Sequence, residues 1–402
     1  MTPIHNLRIG LIANIADKVL RLPPATALRF AFAFLIILGT LQPGFARERG
    51  PRVEVVCPSQ PIPVRQGEQQ VLVYELHITN FDLVPMTLKH LEIFAAEDNS
   101  QPLKVFSDDA LSATMVQTGS IGGAKDSRTI DPGSRAVVFL WIGLRLDQPV
   151  PSSLRQRLVF VAGGTGNTTA ESVLEDFPVL VSHDAVPLLS PPFAGGVWLA
   201  GDFGNGSGHR RSFMAIDGHV HEPERFAIDW VKVGPNGDTH HDGTTRNENW
   251  WGFGEPILAV ADGEVTQVVD GIAENTPRVL PRTVTLDNIA GNYLILRIAS
   301  NRYATYAHLQ TGSIKVRPHD HVRRGDVLAR LGNTGNATGA HLHFQVTDGN
   351  SVLQSEGVPF IFDHFTYLGP GSEYEIDKHP STPWTHSIPG DEGVIEFTSA
   401  NK

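Results

Sequence analysis

Four stretches constrain the fold of this chain more than any other feature: "QQVLVYELHITN" (69–80), "MTLKHLEIFAA" (86–96), "RAVVFLWIGLRL" (135–146) and "RQRLVFVAG" (155–163). Each is of strand length, rich in β-branched and aromatic residues, and bounded by Gly, Pro, Asn or Asp. Strands at such spacing predict a β-sandwich of immunoglobulin-like type over residues 51–190. The paired cysteines and strand tryptophan of a true immunoglobulin domain are not visible, so only the general architecture follows. The 39 Gly and 28 Pro fit a turn-rich, mostly β protein. With 402 residues there is room for two or three domains.

A net charge of −11 argues against nonspecific nucleic-acid binding, which needs a basic face. The single cysteine, Cys57, excludes an intramolecular disulfide. Cys57 reads as a plain strand cysteine, with lipid attachment as the alternative. Residues 25–41, "ATALRFAFAFLIILGTL", are apolar and follow Arg8, Lys18 and Arg21, and "GFA" (44–46) offers small residues for cleavage. Residues 1–46 are therefore read as an export signal cleaved near Ala46. An uncleaved anchor through 25–41 is the alternative. Either reading places the rest outside the cytoplasm, in the periplasm or the extracellular space.

A proline-rich hinge, "VPLLSPPFAGG" (186–196), separates the sandwich from a second strand-rich region, 197–370; the polar segment 371–402 reads as a tail. Thirteen of the 17 histidines fall after residue 200. Asp217-Gly218, between apolar residues, signals a two-residue hairpin. "RFAIDWVKV" (225–233) reads as a strand covered on both faces, with Asp229 inside it. A buried carboxylate needs a partner, and a metal or an arginine would serve. "TGAHLHFQV" (338–346) puts His341 and His343 on one strand face and Leu342 and Phe344 on the other. His308 ends the strand "YATYAHLQ". A His-x-His pair is often no more than two surface histidines, but this one sits in an apolar context.

"YAHLQTGSIKVRPHDHVRRGDVLARLGNTGNATGAHLHFQV" (306–346) and "GEPILAVADGEV" (254–265) resemble the lysostaphin-type (LytM-like) zinc endopeptidases that cut peptidoglycan cross-bridges or stem peptides. The resemblance covers roughly 197–370 and implies an antiparallel β-sheet zinc endopeptidase domain with one Zn2+ per chain. It implies that His343 and Asp229 bind zinc, and that His341 and His308 work on the water or the oxyanion.

The departure is at the first zinc histidine. The family's spacing is His-x-x-x-Asp, yet Arg225 stands four residues before Asp229. Upstream candidates are His209, His219 and His221. On a continuous strand His221 would lie roughly 26 Å from Asp229. A hairpin at Asp217-Gly218, with a three-residue bulge in "HEPER", would instead set His209 opposite Asp229, within reach of a shared ion. His209 is the preferred ligand. "HEPER" lacks the second histidine of a helical His-Glu-x-x-His site, so that reading is rejected. His77, His90, His240, His241, His319 and His321 read as ordinary strand or loop histidines. Trp250 and Trp251 read as groove wall or core.

The sequence thus predicts an exported zinc metalloendopeptidase whose substrates are peptidoglycan peptides. The competing readings are a catalytically inactive wall-binding or regulatory module on the same fold, and a lipoyl-carrier-like domain suggested by "VRRGDVLARLGN". The latter lacks the hairpin lysine and leaves the histidines unexplained.

Overall fold

Burial of both faces of Gln69–Asn80 explains how the two halves of the chain meet. A computed structural model describes residues 50–98, 100–118, 126–163, 171–372, 375–376 and 381–398. The expected leader and its apolar stretch lie outside these. Among the described residues no helix is long and apolar enough to cross a membrane.

The four opening stretches form the strands Gln69–Asn80, Met86–Ala95, Arg135–Arg145 and Ser153–Ala162. They centre two five-stranded antiparallel sheets. Leu72, Tyr74, Leu76 and Ile78 point from the first sheet into a core shared with Leu88, Leu91, Leu158 and Phe160 of the second, which makes a β-sandwich. Cys57 packs against that core, and its Sγ–H donates to the Ser59 carbonyl. The alternate residues Val71 and Val73 belong to the other main core of the protein. The first sheet is therefore covered on both faces, which is why its longest strand reads as an almost unbroken apolar run.

That other core lies on a twelve-stranded sheet. Its main path runs Leu188–Leu189, Ile361–Ser372, Gly393–Phe397, Gly196–Gly201, Ile228–Lys232, Leu342–Thr347, Arg302–Leu309, Asn292–Ala299, Gly263–Val269, His321–Val322. All pairs are antiparallel except the first. Trp198, Trp230, Tyr306, Phe344, Phe362 and Phe397 fill its apolar face.

Three expectations are corrected here. The segment past residue 371 is not a tail: Thr382–Ser387 pairs with Ile361–Ser372, and Gly393–Phe397 lies inside the sheet beside Gly196–Gly201. The hinge 186–196 is packed, with Phe193 stacked on Trp198 at 3.4 Å. The strand expected over 225–233 begins only at Ile228, and Arg225 lies in the turn before it, closed by an Ala227 N–H to Glu224 carbonyl bond.

Candidate metal centre

Sheet register sets out the site. Gly201 pairs with Asp229, Asp229 with His343, and His343 with Ala307. Residues opposed in this way project to the same face, so Asp229 and His343 meet directly. Asp229 Oδ1 is 3.0 Å from His343 Nδ1, and Oδ2 is 3.4 Å from His341 Nε2. Leu342 and Phe344 are buried on the opposite face, as the period of two requires.

His209 joins them by a route other than the one expected. The Asp217-Gly218 hairpin forms, pairing Met214–Ile216 with His219–His221, and both turn residues have positive φ. It is not the neighbour of Ile228–Lys232; that place belongs to Gly196–Gly201. His209 instead opens a single 3-10 turn, His209–Arg211, after a loop tied by the Asp202 carboxylate, which accepts from Gly208 N at 2.6 Å. Its Nε2 lies 3.5 Å from Asp229 Oδ1, and its ring is 4.8 Å from that of His343. His219 is exposed, and His221 Nδ1 faces Glu356 at 3.7 Å, so the hairpin histidines turn away from the site.

His308 would face the wrong side of a regular strand, since Ala307 is already in register with His343. A bulge corrects this. Asn292 pairs with Leu309 and Leu294 with Tyr306, so Ala307 and His308 together oppose Tyr293. His308 takes φ 61°, and its ring swings to 4.7 Å from His341 and 5.8 Å from His343. A non-glycine residue held at positive φ costs roughly 1–2 kcal/mol. His308→Gly is accordingly expected to be more stable than His308→Ala by about 1 kcal/mol, although both lose the imidazole. Urea unfolding of the two variants checks this, and equal midpoints would contradict it.

The donor set suits a metal. One ligand atom each from His209, Asp229 and His343 lies within 4.8 Å of the others, and two imidazoles with one carboxylate are zinc-type donors. The remaining ring nitrogens are committed elsewhere. His209 Nδ1–H donates to the Ala227 carbonyl at 3.3 Å, and His343 Nε2–H to Gln345 Oε1 at 2.8 Å. Those bonds leave His209 Nε2 and His343 Nδ1 facing Asp229, the outer-shell arrangement that orients metal-binding imidazoles. Gln345, itself anchored on the Val352 carbonyl, was missed in the sequence, although it stands two residues past His343 on the same face. Burial opposes charge on Asp229, but His341, His209 and His343 outweigh it and hold the carboxyl well below its ordinary range. For His308, burial first and the neighbouring imidazoles second keep the ring neutral. Its Nδ1–H donates to the Thr334 carbonyl at 2.7 Å, and His341 Nδ1–H to the Gly339 carbonyl at 2.9 Å.

Two cavities meet at Asp229. One, of about 410 Å³, is lined by Asp202, Trp250, Arg278, Gly339, His341 and Glu392. The other, of about 450 Å³, is lined by His209, Met214, Leu280, His308, His343 and Leu353. Together they make a groove that runs past Asp229. Gly339 is required there, since a Cβ would lie 2.6 Å from the Trp250 ring. Trp250 is thus both buried and part of the groove wall, whereas the His241 ring packs on Trp251 outside it.

The sequence pattern that defines Peptidase family M23 matches residues 241–354. This chain carries an M23 peptidase domain. The matched stretch contains His308, His341 and His343, but starts after His209 and Asp229. An uncharacterized metalloprotease of Haemophilus influenzae is 31% identical over 80 residues, 18% of this chain and 16% of that protein. The peptidoglycan DD-endopeptidase ShyB of Vibrio cholerae is 36% identical over 94 residues, 23% of this chain and 18% of that protein. The chain thus spans no more than about a fifth of the length of these relatives. A solved zinc-containing peptidase from Vibrio cholerae aligns at 16% identity over 73% of this chain and 81% of that one, with a TM-score of 0.25.

Arg225, four residues before Asp229, is held in an ion-pair cluster. Arg225 is buried and ion-paired with Glu75 of the sandwich at 2.9 Å and with Glu356 at 2.7 Å. Arg210, equally buried, bonds Glu75 and faces Glu222 at 3.5 Å. Two arginines thus meet three carboxyls. Burial favours raising the pKa of Glu75, but Arg210 and Arg225 outweigh it and hold it at about 2. Glu222 is the surplus carboxyl: burial first, then the Glu75 charge, push its pKa up to about 8. Between its ordinary 4.5 and about 8 the folded protein keeps a proton that the unfolded chain releases, so this group's stabilisation is lost as pH rises through about 8. Glu222→Gln is therefore expected to melt several degrees above wild type at pH 8.5 and alongside it at pH 5. An equal difference at both pH values would contradict this.

Proposed function

We propose that this chain is a zinc-dependent metalloendopeptidase that hydrolyses peptide bonds in peptidoglycan cross-bridges or stem peptides. The observation that carries the reading is the convergence of His209, Asp229 and His343 on one point, with His308 and His341 beside it. Zinc held by His209, Asp229 and His343 would supply a Lewis acid that activates water near neutral pH and polarises the scissile carbonyl. His341 and His308 each hold a proton on Nδ1, which leaves Nε2 as the basic nitrogen. They line opposite cavities of the groove. One would take the proton of the attacking water on its Nε2 and pass that proton to the leaving amine, and the other would donate to the oxyanion when its Nε2 carries a proton.

The sandwich, 51–190, and the region from 197 onward serve as two domains of one exported protein, with residues 1–46 as signal or anchor. Periplasmic or extracellular action agrees with the peptidoglycan named for ShyB. The test is a digest of purified peptidoglycan with zinc-loaded protein, analysed by mass spectrometry. Release of fragments cut at one type of peptide bond is expected. Unchanged peptidoglycan would overturn the reading in favour of the inactive wall-binding module.

A further inference from the structure

A metal ligand on a strand is held by the ladder on both sides. His209 has no such support, because it opens a three-residue 3-10 turn. The two residues after it both reach the sandwich. Arg210 Nη2 donates to the Tyr74 carbonyl at 3.0 Å, and Nη1 bonds the Glu75 carboxylate. Arg211 Nη2 donates to the Ala113 carbonyl at 3.1 Å, at the end of the short helix Asp108–Ala113. Both guanidiniums lie over the ring of Phe139 of the sandwich, at 5.1 Å and 5.4 Å from its centroid.

The carbonyl that accepts from His209 Nδ1 belongs to Ala227, two residues past Arg225, and Arg225 grips the same Glu75 through Nε at 3.0 Å and Nη2 at 2.9 Å. Both the backbone that carries His209 and the carbonyl that orients its ring are therefore tied to one carboxylate, from a strand of the other half of the chain. Interdomain ion pairs are common as adhesive. Here, though, the pairs converge on the flanks of a single histidine, and the arginine at the family's histidine position is one of them.

We propose that Glu75 is a positioning residue for the first metal ligand, so that the sandwich completes the metal site and is not merely joined to it. The proposal rests on the zinc reading above. Glu75 touches neither the metal position nor substrate.

The experiment uses the full chain, with zinc affinity measured by chelator competition and the absorption spectrum of the cobalt(II) form recorded for wild type, His209→Ala, Glu75→Gln and Arg211→Ala. Loss of an outer-shell partner lowers metal affinity about 10–100-fold. Glu75→Gln is expected to lose zinc affinity in that range, with its cobalt spectrum shifted toward that of His209→Ala. Among the described residues Arg211 donates to the carbonyl oxygens of Asn205, Ser207 and Ala113, so Arg211→Ala tests the sandwich's hold on the His209 turn if Glu75→Gln does not fold; a smaller loss in the same direction is expected. Wild-type affinity and an unchanged spectrum in a folded variant overturn the proposal while leaving the zinc reading intact. A wild type that binds neither zinc nor cobalt overturns both.

Discussion

His341→Ala is expected to keep its full complement of zinc and to lose about 10²–10⁴-fold in peptide-bond hydrolysis. The separation follows from geometry. His341 faces Asp229 Oδ2 at 3.4 Å, but the group of mutually close donors is His209, Asp229 and His343. Its Nδ1 is fixed by Gly339, so its Nε2 is the nitrogen available for proton transfer at the groove. Turnover on a peptidoglycan peptide and zinc content, measured on the same preparation, check the prediction. If zinc and activity fall together, His341 is a ligand and the division of labour between the two histidines of "HLH" is wrong.

The second large effect concerns Arg225. Restoring the family's pattern by Arg225→His is not expected to rescue His209→Ala, because residue 225 sits in a turn and its side chain is aimed at Glu75 and Glu356. The substitution is expected instead to cost about 3–5 kcal/mol of stability, since it removes one partner from a buried ion pair and leaves Glu75 undercompensated. Denaturant unfolding of Arg225→His and zinc binding by the double variant read the two parts. Recovery of zinc in the double variant would mean that position 225 still reaches the metal site.

Local signals carried much of this site. The strand period of two separated His341 and His343 from Leu342 and Phe344, and an acidic residue inside "FAIDWV" marked Asp229. The Asp217-Gly218 turn was legible for the same reason, since both residues tolerate positive φ. Where His209 meets Asp229 was not local. It depends on Gly196–Gly201 taking the place beside Ile228–Lys232, and on a loop closed by Asp202. The bulge that re-aims His308 leaves no mark in "YATYAHLQ", because histidine at φ 61° is set by the neighbouring strand. The C-terminal strand was hidden by its length: five residues, Gly393–Phe397, show little periodicity, and only the sheet around them makes them central. Glu75 is the most instructive omission. "VLVYELHI" holds a carboxylate in an apolar run just as "FAIDWV" does, and the same desolvation argument that singled out Asp229 applied to it. Its partners lie 135 and 150 residues away, so the need for them was legible and their identity was not.

The central claim is that His209 is the zinc ligand that completes the set with Asp229 and His343. Zinc content of purified wild type and His209→Ala, measured by inductively coupled plasma mass spectrometry after dialysis, tests it most directly. Stoichiometric zinc in wild type and its loss in His209→Ala is the predicted result. Full retention of zinc by His209→Ala would contradict the account.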